Sequence, residues 1–108
     1  MTMHFDTGNL FRNLPTETDK EVFEILHQRG GTKIERILSH GEATPEGQWY
    51  DQGWDEWVII EQGTGALEFE DGTRHHMAKG DYLLIPKNTK HRVISTETNT
   101  IWLAIHLA

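Results

Sequence analysis

Turn-forming residues recur about every eight to twelve positions along this chain, and no other feature limits its fold so tightly. Gly30-Gly31, Gly41, Pro45, Gly47, Gly53, Gly63, Asp71-Gly72, Gly80 and Pro86 leave little room for the long periodic segments of a helical bundle. Between them lie short runs in which apolar and polar residues alternate, the mark of half-buried strands. A chain of 108 residues is one domain's worth of polypeptide. It reads as a single all-β domain, a sandwich or barrel of about eight to ten short antiparallel strands.

Glu21 to Arg29 is ambiguous by itself. Val22, Phe23 and Leu26 would make a helical stripe, whereas Phe23, Ile25 and His27 alternate as in a strand. The glycine pair Gly30-Gly31 and the alternating run Ile34 to Leu38 decide for a β-hairpin, with both glycines supplying positive φ. Ser39 to Gly53, rich in Gly, Pro, Thr and Glu, reads as a loop or bulged edge. Trp54 to Gln62 is the most apolar strand. Trp54, Glu56, Val58 and Ile60 share one face and Asp55, Trp57, Ile59 and Glu61 the other, so both faces need cover, one of them from a second subunit. Ala66 to Phe69 and Thr73 to Met77 flank Asp71-Gly72, a type I′ hairpin signal. Tyr82 to Ile85, His91 to Ser95 and Thr100 to Leu107 complete the strands, and Met1 to Leu14 forms an amino-terminal arm.

Charge and composition remove several functions. A net charge of -7 argues against nucleic acid as a partner, because phosphate contacts need clustered Lys and Arg. The acid is also uneven: nine carboxylates and no basic residue lie between Glu42 and Asp71, which leaves +2 for the remainder (ten basic minus eight acidic). With no cysteine there are no disulfides, thiolate metal sites or cysteine nucleophiles. Neither a signal-peptide run nor a membrane-length apolar span occurs, so the expected setting is cytoplasmic with no membrane partner. Ser39-His40-Gly41 lacks a nucleophile elbow, and no Gly-rich loop opens a helix to cradle phosphate.

Two stretches together resemble the cupin family, whose fold is a small jelly-roll barrel. The family's first motif runs from a Gly through His-x-His to a Glu four residues on and a Gly seven beyond that; here Gly47, Glu56 and Gly63 hold those places. The second, a Gly, five residues, a Pro and a following His, matches Gly80 to Pro86 and His91. The resemblance covers roughly 35 to 107. Trp49-Tyr50-Asp51-Gln52, Asp55 to Val58 and Trp102 to His106 are similar to small bacterial cupins of unassigned function.

The departures lie at the site itself. The two motif histidines fall on Tyr50 and Gln52, and the Asn of the second motif on Ser95. The usual centre, three imidazoles and a carboxylate around Fe, Mn, Ni, Cu or Zn, is reduced to His91 and Glu56, with the Gln52 amide oxygen as a third donor. The resemblance therefore implies a cavity in which Gln52, Glu56 and His91 are metal-ligand candidates for Mn, Fe, Ni or Zn. Glu56 and His91 are also its catalytic acid or base, and Tyr50 and Trp54 line the ligand space.

Residues two apart share a strand face, so Tyr50, Gln52, Trp54 and Glu56 all point inward if the strand continues across Gly53, facing His91, Val93 and Ser95. For Glu56 the structural alternative is a salt bridge to Arg36 or Arg92. His106 is expected at the surface or a dimer contact, or else as the missing imidazole. His75-His76 is expected in solvent. Two functions follow from the resemblance: a metal-assisted isomerase or oxygenase acting on a small organic ligand, or a metal-free sugar or carboxylic-acid binding module without turnover. A homodimer is the expected assembly, and the acidic segment from Glu42 to Asp71 is expected near the cavity mouth.

Overall fold

A computed structural model describes residues 3–15 and 20–108. Its regular elements are eight strands: β1 (Val22–Arg29), β2 (Thr32–His40), β3 (Asp55–Gln62), β4 (Thr64–Phe69), β5 (Arg74–Ala78), β6 (Tyr82–Ile85), β7 (His91–Thr96) and β8 (Thr98–Leu107). They form a five-stranded sheet in the order β1-β2-β8-β3-β6 and a three-stranded sheet in the order β5-β4-β7. All the pairings are antiparallel, as a jelly roll requires.

Both expected hairpins form, with different turn chemistry. Arg29 pairs with Thr32 around Gly30-Gly31, yet only Gly30 sits at positive φ (57°), the pattern of a II′ turn. At Asp71-Gly72 the turn is not I′. Gly72 N–H donates to the Phe69 carbonyl and Phe69 N–H to the Thr73 carbonyl, which makes Glu70-Asp71-Gly72 a three-residue loop. Gly72 alone has positive φ (89°), in the bulge position that follows a type I turn.

The inward faces of the central strands change character along their length, and this places the site. One cross-strand rung is Ile37, Trp102 and Ile60, the next is Glu35, Ala104, Val58 and Leu83, and the last is Lys33, His106, Glu56 and Ile85. The apolar end joins Leu67 and Met77 from the smaller sheet in a closed core around Val58, Ile60, Ile85, Trp102 and Ala104. Hydrophobic burial holds the two sheets together there. At the other end, charged side chains face the interior and line a cavity.

The outer face of the larger sheet is divided. Buried Arg36 donates to both carboxylate oxygens of Glu24 at 2.8–3.0 Å and to the carbonyls of Leu10, Arg12 and Asn13 at 2.9–3.3 Å. It thereby clamps the turn of the amino-terminal arm onto the sheet. Further along, Trp57 packs against Tyr82 with the rings tilted by 30° at 5.5 Å, and Tyr82, Leu84 and Leu107 remain exposed at 67%, 49% and 44%. No helix among the described residues is long and apolar enough to cross a membrane.

Candidate functional site

At its polar end the barrel opens into a cavity of about 240 Å³. Tyr50, Gln52, Trp54, Glu56 and His91 all line it. They arrive by a different route from a continuous strand: β3 begins only at Asp55, and 51–54 is irregular. The crossing segment is instead stitched to the edge of β7. Tyr50 and His91 exchange backbone hydrogen bonds at 2.8 and 3.0 Å, Thr44 N–H donates to Val93 O, and Asn88 N–H to Gln52 O. Loop residues thus extend the smaller sheet and point their side chains inward.

Ser95 does not line the wall. A bulge in β7 opposite Ala66 and Leu67 puts Val93 against Leu67 but Ser95 against Ala66, so Ser95 turns outward and is exposed. The salt-bridge alternative for Glu56 is also excluded. Arg36 belongs to Glu24, and Arg92 to Glu68 at 2.7 Å on the other sheet. Hydrogen bonds from Arg92 and Arg74 hold the Glu68 carboxyl below its ordinary pKa, away from the cavity. The partner of buried Glu56 is Gln52, whose Nε2 donates to Oε1 at 2.8 Å.

His91 has one nitrogen committed. Its Nδ1 lies 2.9 Å from the Thr89 carbonyl, which only accepts, so Nδ1 carries a proton and Nε2 is the free nitrogen. The ring is braced by Tyr50, stacked at 5.8 Å, and by Phe69 at 6.1 Å. Burial, then the nearby Glu21 charge, pushes the Tyr50 phenol above its ordinary pKa, so it remains a hydroxyl and a poor ligand for divalent ions.

His106 is the residue whose position differs most from the sequence expectation. It is buried in the cavity wall, with Trp54 Nε1 at 2.7 Å from Nδ1 and Glu35 Oε1 at 3.1 Å from Nε2. Glu35, Lys33 and Glu21 likewise face the cavity and were not singled out from the sequence. A polar residue in phase with the inward positions was their signal: Lys33 and Glu35 alternate with Ile34, and His106 with Ile105. Of the nine carboxylates between Glu42 and Asp71, only Glu56 reaches the lining, while Glu21 and Glu35 come from β2 and the approach to β1. Glu21 is raised above its ordinary pKa of 4.5 by burial, against the Ser39 hydroxyl that donates to it at 2.8 Å. His75 and His76 are exposed, as expected.

The donor set does not fit a three-imidazole metal centre. The motif positions offer one free imidazole nitrogen, one carboxylate already holding an amide, that amide's oxygen and a protonated phenol. Among the described residues no three His, Asp or Glu side chains are grouped to hold an ion.

The model of the Cupin domain matches residues 35–106. The chain belongs to the cupin family. No curated protein matches this cupin. Among solved structures, a Ralstonia eutropha JMP134 protein named "putative mannose-6-phosphate isomerase" is 42% identical, with a TM-score of 0.89 over 94% of this chain and 96% of that one. Protein NMB1881 of Neisseria meningitidis is 24% identical, with a TM-score of 0.74 over 94% and 99%. The DMSP lyase DddQ of Ruegeria pomeroyi DSS-3 is 14% identical, with a TM-score of 0.71 over 89% of this cupin and 51% of its own chain. At those last two identities the likeness is one of fold.

Proposed function

We propose that this cupin binds a small uncharged hydroxyl- or carbonyl-bearing molecule in its barrel and transfers protons on it, an isomerase-type reaction. The observation that carries this reading is the free Nε2 of His91, presented to the same cavity as the Glu56 carboxylate. Isomerising a hydroxy-carbonyl compound needs a base to take the proton beside the carbonyl and an acid to return it one carbon away. His91 Nε2 is the base, and the Glu56 carboxylate, oriented by Gln52, moves the hydroxyl proton. Neither step is routed through a metal.

Charge narrows the ligand. Glu21, Glu35 and Glu56 face the cavity against the single cation Lys33. That balance opposes a phosphorylated sugar or a carboxylic acid and favours an uncharged sugar. The similarity to the Ralstonia protein supports sugar isomerisation as the first chemistry to test, in its unphosphorylated form.

The test is solvent-deuterium incorporation beside the carbonyl of mannose, fructose and mannose 6-phosphate, followed by NMR. Deuterium should enter the neutral sugars and not the phosphate ester, and His91→Asn or Glu56→Gln should slow it at least about a hundredfold. Binding of mannose without exchange would favour the non-catalytic module. Stoichiometric Mn, Fe, Ni or Zn, retained by untagged protein and lost in Gln52→Ala, Glu56→Ala and His91→Ala, would replace this reading with the metal-assisted one.

Two copies pair, in the same proposal, through the outer strip of the larger sheet. Leu84, Trp57 and Ile105 lie in one rung and Tyr82, Ile59 and Leu103 in the next, with no charged side chain between them. Such a strip is self-complementary under a two-fold axis.

A further inference from the structure

Both nitrogens of the His106 ring are committed, and the direction of each bond follows from its partner. The Trp54 indole N–H can only donate, so Nδ1 of His106 must present its lone pair. The ring proton therefore sits on Nε2 and is donated to Glu35 Oε1. The other oxygen of Glu35 faces Lys33 Nζ at 3.7 Å. A hydrogen-bonded chain thus runs from Trp54 through a neutral histidine to a carboxylate, in one direction only. His106 has no lone pair left for a metal or a substrate.

The chain is unequally buried. Glu35 and His106 are each 7% exposed, whereas Trp54 is 37% exposed. The indole, anchored through its nitrogen, lines the cavity, its ring edge-on to the imidazole at 64° and 5.9 Å. Trp54 lies outside the sheet, directly after Gly53, in a segment with no regular structure. Of its hydrogen bonds, the one to His106 is what holds the ring.

We propose that Trp54 is a specificity-determining wall of the cavity and that His106, oriented by Glu35, is the positioning residue that holds its ring face toward the ligand. A fixed indole face favours a ligand with a flat apolar C–H surface, such as a pyranose ring, over an open-chain polyol with the same hydroxyls. This inference rests on the uncharged-sugar reading above for its choice of probes.

The experiment compares wild type with Trp54→Leu, His106→Gln and His106→Leu. Glutamine can accept from the indole and donate to Glu35, as the neutral imidazole does, whereas leucine can do neither. The first readout needs no ligand: the Trp54 indole N–H signal in NMR, assigned by its loss in Trp54→Leu. Its solvent exchange should be slow in wild type and His106→Gln and at least about tenfold faster in His106→Leu. The second readout is the ratio of affinities for methyl α-mannopyranoside and mannitol. It should favour the pyranoside by about three- to tenfold in wild type and His106→Gln, and fall to near unity in Trp54→Leu and His106→Leu.

A Trp54 N–H that stays protected in His106→Leu overturns the positioning role. Equal binding of both probes by all four proteins overturns the wall and leaves the sugar reading standing. Binding of neither probe by wild type overturns the wall together with that reading.

Discussion

Replacing Glu56 with Met should abolish proton transfer and make the protein more stable. Glu56 is 9% exposed, and its partner is an uncharged amide, Gln52 at 2.8 Å. The charge-assisted bond is worth roughly 1.5–3 kcal/mol. Against it stand the desolvation of a fully buried carboxylate, several kcal/mol after relaxation, and the apolar contact that a Met would make beside Ile85, roughly 1.5–3 kcal/mol when fully buried. The cavity leaves one side of Glu56 open to water, which removes much of the desolvation cost, so the net gain is about 1–2 kcal/mol. Urea unfolding should show it as a higher midpoint at unchanged m-value, and heating as a rise of about 4–8 °C per kcal/mol. Glu56→Gln, isosteric and uncharged, should lose exchange activity without the full gain in stability. A loss of more than about 1 kcal/mol in Glu56→Met would refute the reasoning, since it would make Glu56 a structural residue.

Glu21→Gln should stabilise the protein above the raised pKa of Glu21. The folded state favours the protonated acid, so wild type holds that contribution below the unfolded value and loses it as pH rises through the folded one; stability curves of the two proteins should converge in acid and separate toward neutral pH. Gly65→Ala should cost about 1–3 kcal/mol, because a Cβ there would lie 2.7 Å from Cη2 of the buried Trp102 ring, and denaturant unfolding measures it. Arg36→Met should free the arm, and trypsin should then cut after Arg12, whose carbonyl now accepts from Arg36, faster than in wild type. Leu84→Glu should yield monomers in sedimentation experiments, while protein that stays dimeric would exclude the outer strip as the interface.

Much of the fold was legible because its signals are local. Alternation within Ile34 to Leu38 and within Trp54 to Gln62, and the glycines at their ends, depend on a few neighbouring residues. The turn types were less legible: Asp71-Gly72 signals a hairpin, but the loop length is chosen by the register of Glu68 against Arg74, a cross-strand fact. At the site, Tyr50, Gln52, Trp54, Glu56 and His91 were identified and do share a cavity, although the continuous strand that was to align them is broken before Asp55. Ser95 failed for a similar reason, since one bulge reverses the alternation.

The sequence by itself determined the all-β class, the strand runs and the loss of two motif histidines, all consequences of residue identity at short spacing. Only the tertiary structure decided which charges meet. It sent Arg36 and Arg92 to Glu24 and Glu68, left Glu56 to Gln52, and brought Glu35 across to His106 and Trp54. The partner of a buried polar group is set by strand order and register, which place residues 71 and 52 positions apart within hydrogen-bond reach. No spacing rule within one strand can reveal that.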